Sequence, residues 1–135
     1  MENLTPKNER EEIGRRGEEI ACEYLKNRSY KIIARNYRQP WGEIDIICQH
    51  KNKTLTFIEV KTMRQNNNLE PEDNFSKAKL KKFQRMAILY AGENKYDIEK
   101  RGWQLDLIAI TFQKRLTENY KDYTIRHWEN VSDVW

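Results

Sequence analysis

Three stretches of this 135-residue sequence leave neither face of a strand polar. They are EIDIICQ (Glu43–Gln49), TLTFIEVKT (Thr54–Thr62) and WQLDLIAITF (Trp103–Phe112). Successive side chains of a strand point to opposite faces, so Ile58 and Val60 face one way while Leu55 and Phe57 face the other. A sheet that is apolar on both faces has to be covered on both faces. Two helical patterns can supply the cover. The first should start near Thr5–Pro6, where threonine can cap and proline suits the first turn, and stop near Asn27–Ser29. Ile13, Gly17, Ile20, Ala21, Tyr24 and Leu25 form its inward stripe. Gly14 and Gly17 weaken a helix relative to alanine, which suggests close approach to another element's backbone. Ser76 can cap the second helix, with Leu80, Phe83, Ala87, Tyr90 and Ala91 marking its buried face.

The remaining segments complete the order helix, three strands, helix, two strands. YKIIARNYR (Tyr30–Arg38) reads as a first strand, and YTIRHWENV (Tyr123–Val131) as a fifth at the sheet edge. The polar stretch 63–74 reads as a mobile loop, GENKYDIEKRG as a connection, and residues 1–8 as a flexible N-terminus. One α/β domain spanning 1–135 is expected, with no internal repeat. Its 38% hydrophobic and 34% charged residues describe a well-solvated surface over a real core, and four Trp, seven Tyr and four Phe argue against disorder.

The formal net charge of +4 favours a polyanionic partner without proving one. Cys22, Cys48, His50 and His127 have no zinc-ligand spacing, so the cysteines read as buried reduced thiols suited to a reducing compartment. No apolar run approaches the roughly 20 residues that span a bilayer, and MENLTPKNEREEIGRR is too polar for a secretory signal. A cytoplasmic protein without membrane association is the expectation.

Against this apolar background, Asp45, Glu59 and Lys61 sit inside strands. Charge in a two-faced apolar strand is costly unless paired or exposed. Glu59 and Lys61 share a face. Asp45 joins them only if the hairpin closes through three or five residues, or through a bulge, because a one-residue slip reverses every side chain. Two converging carboxylates repel unless a cation or proton intervenes. Mg²⁺ takes one or two protein carboxylates and uses phosphate oxygens as further ligands. A nearby lysine can orient a nucleophile or stabilise charge growing on phosphate. The trio therefore suits metal-assisted phosphodiester hydrolysis. It equally suits a cross-strand ion pair of Lys61 with Asp45 or Glu59.

The pattern Asp45, thirteen residues, Glu59, one residue, Lys61 resembles the core motif of the PD-(D/E)xK nuclease superfamily. GRRGEEIACEYL (Gly14–Leu25), RNYR (Arg35–Arg38), GEIDII (Gly42–Ile47), FIEVKT (Phe57–Thr62) and LDLIAI (Leu105–Ile110) together resemble the YraN-like family of small bacterial, endonuclease-related proteins. The resemblance implies a restriction-endonuclease-like α/β core, with a mixed sheet of about five strands and helices on both faces. It implies a DNA endonuclease using Mg²⁺ or Mn²⁺, resolvase-like on branched DNA. The alternative is a nucleic-acid-binding recombination or repair accessory module with little catalysis. Under the resemblance, Asp45 and Glu59 hold metal with the Val60 carbonyl as a third ligand. Lys61 activates water or steadies the phosphate, and Glu18 assists from the first helix, in the row Gly14, Glu18, Cys22. Ile44 stands where the superfamily's proline would be, and no QxxxY element is evident on the second helix. Resolvase-type nucleases often act as dimers, so a homodimer is compatible with the resemblance.

Lys77, Lys79, Lys81, Lys82 and Arg85 line the second helix, and Arg15 and Arg16 flank Glu18. Such runs are commonly solvated faces; as a functional surface, Arg15, Arg16, Lys79 and Lys82 would hold phosphates without reading sequence. Lys79 best matches a basic residue typical of the family's second helix. Trp41 can stack on an unpaired base or pack a turn. Asp106 matches a family aspartate in the fourth strand, where a buried hydrogen-bond or ion-pair role is expected.

Overall fold

A computed structural model describes residues 6–64, 76–113 and 122–131. Its elements run α1 (Pro6–Asn27), β1 (Lys31–Gln39), β2 (Gly42–Gln49), β3 (Leu55–Arg64), α2 (Lys77–Glu93), α3 (Ile98–Arg101), β4 (Trp103–Phe112) and β5 (Tyr123–Trp128). The five strands form one mixed sheet in the order β1-β2-β3-β4-β5. β3 and β4 are parallel, with α2 and α3 in the connection between them, and the other neighbours are antiparallel. The strand patterning called for a sheet covered on both faces, and this mixed five-stranded α/β arrangement is consistent with the restriction-endonuclease-like core that the resemblance implied.

The two apolar faces are covered as the alternation requires. Leu55, Phe57, Leu105 and Leu107 pack with Leu80, Phe83, Met86, Ala87 and Tyr90 of α2. Ile46, Cys48, Ile58, Ile108 and Ile110 pack with Ile13, Ile20, Ala21 and Leu25 of α1. Cys22 and Cys48 are buried free thiols, and burial raises the pKa of both. Ser76 caps α2, its Oγ accepting from the Lys79 N–H at 3.2 Å. Gly17 is needed because a Cβ there would collide with Thr62 Cγ2; Gly14 faces open space. The close approach is thus to a side chain, and at one of the two expected glycines only.

Several boundaries differ from the sequence expectation. α1 already includes residues 6–8, and β3 continues through Met63 and Arg64 alongside Thr111 and Phe112 of β4. The rest of the expected mobile loop lies outside the described residues. The connection before β4 contains α3, nucleated by Asp97, whose Oδ1 accepts from the Lys100 N–H at 3.1 Å. β5 ends at Trp128, short of Val131. Among the described residues, no helix is long and apolar enough to cross a membrane.

Candidate metal and phosphate site

The hairpin register answers the question left by the sequence. Gln49 pairs with Leu55, so five residues, His50–Thr54, close the β2–β3 turn. Asn52 Oδ1 accepts from the Thr54 N–H at 2.9 Å, and Lys53 takes a left-handed φ of 66°. The ladder runs to Ile46 opposite Ile58. One further step along that register sets Asp45 against Glu59. There the paired ladder ends, and the Val60 N–H donates to Asp45 Oδ2 at 2.8 Å. A side-chain carboxylate thus occupies the fork where β2 and β3 part. Val60 enters the site through this amide.

Three carboxylates converge at the fork. Oxygens of Glu18 from α1 and of Glu43 and Asp45 from β2 all lie within 4.8 Å of one another. Burial, and then the charge of Glu59, push the Asp45 pKa up to about 8, against the opposing pull of the Val60 N–H. Burial also raises Glu59, although Lys61 and Lys79 pull it down. Glu18 is raised by burial, with Arg35 opposing and Glu43 adding to the rise. Its carboxylate is 3.7 Å from the Arg35 guanidinium. Lys61 Nζ lies 3.5 Å from Glu59 Oε1. Lys79 is lowered by burial and by its contact with Lys61. A cleft of about 170 Å³ opens here, lined by Gly42, Glu43, Glu59, Lys79, Lys82 and Met86, among others.

Of the residues singled out in the sequence, Glu18 and Asp45 share the fork, Glu59 stands near enough to raise Asp45 and pairs with Lys61, and Lys79 and Lys82 line the cleft with Glu59. Glu43 was missed. It lies two residues before Asp45 on the same strand, so the strand period alone pointed to it. Arg15 and Arg16 are differently engaged. Arg15 pairs with Glu12 and Glu19, and Arg16 Nη1 sits 2.7 Å from Glu19. These i,i+3 and i,i+4 pairs belong to the surface of α1. An all-oxygen donor set in which burial, and for Asp45 the charge of Glu59, raises the carboxyl pKa fits a hard divalent cation such as Mg²⁺ or Mn²⁺, because such an ion favours the charged carboxylates.

Asp106 behaves as a structural group. It is fully buried in β4 and accepts from Gln104 Nε2 at 2.9 Å and the Asn130 N–H at 2.9 Å. His127 Nε2 from β5 approaches its Oδ2 to 2.7 Å, and Tyr24 Oη meets the other ring nitrogen at 3.0 Å. The basic partner that the sequence left open is this histidine.

A family model described as "Uncharacterised protein family UPF0102" matches residues 17–110. The chain belongs to the UPF0102 family. It is 45% identical over 83 residues to a UPF0102 protein of Desulfosudis oleivorans, covering 62% of this chain and 67% of that one. It is 38% identical over 120 residues to a UPF0102 protein of Campylobacter lari, covering 89% of this chain and 93% of the relative. This is the YraN-like family that the five sequence motifs resembled. The span matched by the UPF0102 model contains Glu18, Glu43, Asp45, Glu59, Lys61, Lys79 and Lys82, so every element of the cleft falls inside the family's shared region.

Proposed function

We propose that the protein is a divalent-metal-dependent endonuclease acting on DNA phosphodiesters, with branched DNA as a candidate substrate. The observation that carries this reading is the convergence of Glu18, Glu43 and Asp45 at the β2–β3 fork, beside the Glu59–Lys61 pair. Glu18, Glu43 and Glu59 each have a cationic neighbour, in Arg35, Arg38 and Lys61, but burial and the charges of Glu59, Glu18 and Glu43 act together to raise Asp45, a poor arrangement for a purely structural carboxylate. The four carboxylates are a good device for recruiting a cation from solvent.

Asp45 and Glu59 would hold Mg²⁺ or Mn²⁺, with Glu18 contributing from α1 and Glu43 from β2. A bound divalent ion would polarise the phosphate and lower the pKa of water. The Val60 N–H fixes the orientation of Asp45, so the carboxylate needs little reorganisation on binding. Lys61 stands close enough to Glu59 to orient a water or to balance charge growing on the phosphate. Lys79 has a lowered pKa beside Lys61 and is suited to share the phosphate oxygens once they enter.

The test is cleavage of linear duplex, single-stranded and branched DNA with Mg²⁺ or Mn²⁺, using the full chain and the variants Asp45→Ala and Lys61→Ala. Metal-dependent cutting that is lost in both variants supports the endonuclease. DNA binding without cutting, unchanged by either substitution, transfers the assignment to the accessory nucleic-acid-binding module.

A further inference from the structure

Next to the acidic cleft is a second, apolar groove of about 330 Å³, lined by Trp41, Arg85, Ile88 and Leu89. The two are contiguous. Trp41 precedes Gly42 and Arg85 precedes Met86 in the chain, and a Cβ on Gly42 would stand 3.0 Å from Met86 Sδ. Trp41 occupies the two-residue turn between Gln39 and Gly42, which are paired, and follows Pro40 with its fixed φ. The backbone that carries the indole is therefore restrained. The Arg85 guanidinium lies 4.9 Å from its centroid, yet Trp41 stays 36% exposed, beside Ile88 at 62% and Leu89 at 36%. This apolar island interrupts a helix whose other exposed charged side chains are cationic until its last residue, Glu93. Between Lys77 and Gly92, α2 has five cations and no acid.

We propose that this groove is a stacking subsite for one unpaired DNA base, next to the phosphate held at the acidic cleft; the substrate class is then single-stranded or locally splayed DNA. The proposal rests on the reading of the cleft as a phosphodiester site. An indole braced by a guanidinium is a platform for the π-face of any base, and it reads no sequence. Charge complementarity selects nucleic acid as the occupant, because Lys79 and Lys82 lead from the cleft towards Arg85 along the same helix. Six residues separate Lys79 from Arg85, about 9 Å of helix axis. A base turned out of its pair offers the free π-face that the exposed indole can cover, as a base stacked inside a continuous duplex does not.

The experiment measures binding in EDTA, where cleavage plays no part. The full chain is titrated into a single-stranded oligonucleotide carrying 2-aminopurine, into a duplex of equal length and into an abasic strand. Trp41→Ala should weaken single-strand binding about 5- to 100-fold, as expected for one stacked base, and should abolish the 2-aminopurine quenching. Duplex and abasic-strand binding should change less than twofold. Trp41→Phe should retain most of the affinity and shows that the turn tolerates substitution. Equal losses on duplex and single strand, or no loss on either, overturn the subsite. So does a change of oligomeric state in Trp41→Ala with oligonucleotide binding intact, which would give the groove to a second copy. Failure of metal-dependent cleavage leaves this result standing, so the two readings fail separately.

Discussion

Asp45 and Asp106 sit on the two strands that flank β3, and both are removed from bulk water to a large extent. Asp106 is fully buried, with three donors on its two oxygens and a histidine held in place by Tyr24. Among the described residues, Asp45 has one donor, the Val60 N–H, and it faces Glu18, Glu43 and Glu59. The first is a completed network, which ties β5 to β4 and, through Tyr24, to α1. The second is an incomplete one, in which burial and like charge combine. Completed buried networks specify structure, whereas incomplete ones leave a requirement that only a proton or an external cation meets. The same residue type in one sheet thus serves opposite ends, and the difference lies in what the neighbouring strand offers.

The sharpest way to break this comparison is the same substitution at both sites. Asp45→Asn should reduce metal-dependent cleavage by about 10²–10³-fold, the scale of one lost charge-stabilising group, while making the metal-free protein more stable by something on the order of 1 kcal/mol. Asp106→Asn should do the reverse. It takes one acceptor from a set of three donors and should cost about 3 kcal/mol in urea unfolding, since a buried donor left unpaired loses its full solvation. If both variants lose stability alike, the two clusters are both structural and the distinction fails.

Proton linkage sharpens it further. The folded pKa of Asp45 is raised to about 8, above an unfolded value of about 3.9. Between those limits the folded state holds a proton that the unfolded state has lost. The contribution is therefore fully present below about pH 4 and is lost as pH rises through about 8. Glu59 and Glu18 are raised too and act in the same direction. The stability advantage of Asp45→Asn over the parent should accordingly grow between pH 5 and pH 8 in EDTA, and shrink when Mg²⁺ or Mn²⁺ is added. Metal binding should release protons over that range, which calorimetry in buffers of different ionisation enthalpy would detect. An advantage that is flat with pH would remove the charge-repulsion account of the cleft.

The legible and illegible parts of this molecule divide along physical lines. Apolar residues on both faces of β2, β3 and β4 already demanded a two-sided cover, and α1 and α2 supply it. The convergence of Asp45 with Glu59 hung on loop length, which a stretch like HKNK does not declare; the five-residue turn with its left-handed Lys53 decides it. Glu43 was legible by strand period and passed over because the motif drew attention to Asp45. The pairing of Arg15 and Arg16 with Glu12 and Glu19 was equally legible by helix spacing. His127 as the partner of Asp106 was not legible, because it depends on the β4–β5 register across a connection that the sequence does not constrain.

The smallest expected effect concerns how α1 delivers Glu18 to the cleft. Gly17 lies against Thr62, one residue after Lys61 on β3, so the distance between α1 and β3 is set at this contact. Gly17→Ala gains helix propensity of about 1 kcal/mol but drives a methyl into Thr62 Cγ2, and overpacking of that kind costs about 1–3 kcal/mol. The net change in stability should therefore be small, about 1 kcal/mol of loss by urea unfolding. Metal affinity should fall more clearly, because a helix pushed outward withdraws Glu18 from Glu43 and Asp45. Thr62→Ser removes the colliding carbon and leaves the hydroxyl, so the double variant should recover both properties. Recovery of stability without recovery of metal affinity would mean that Glu18 stands at the fork without contributing to it.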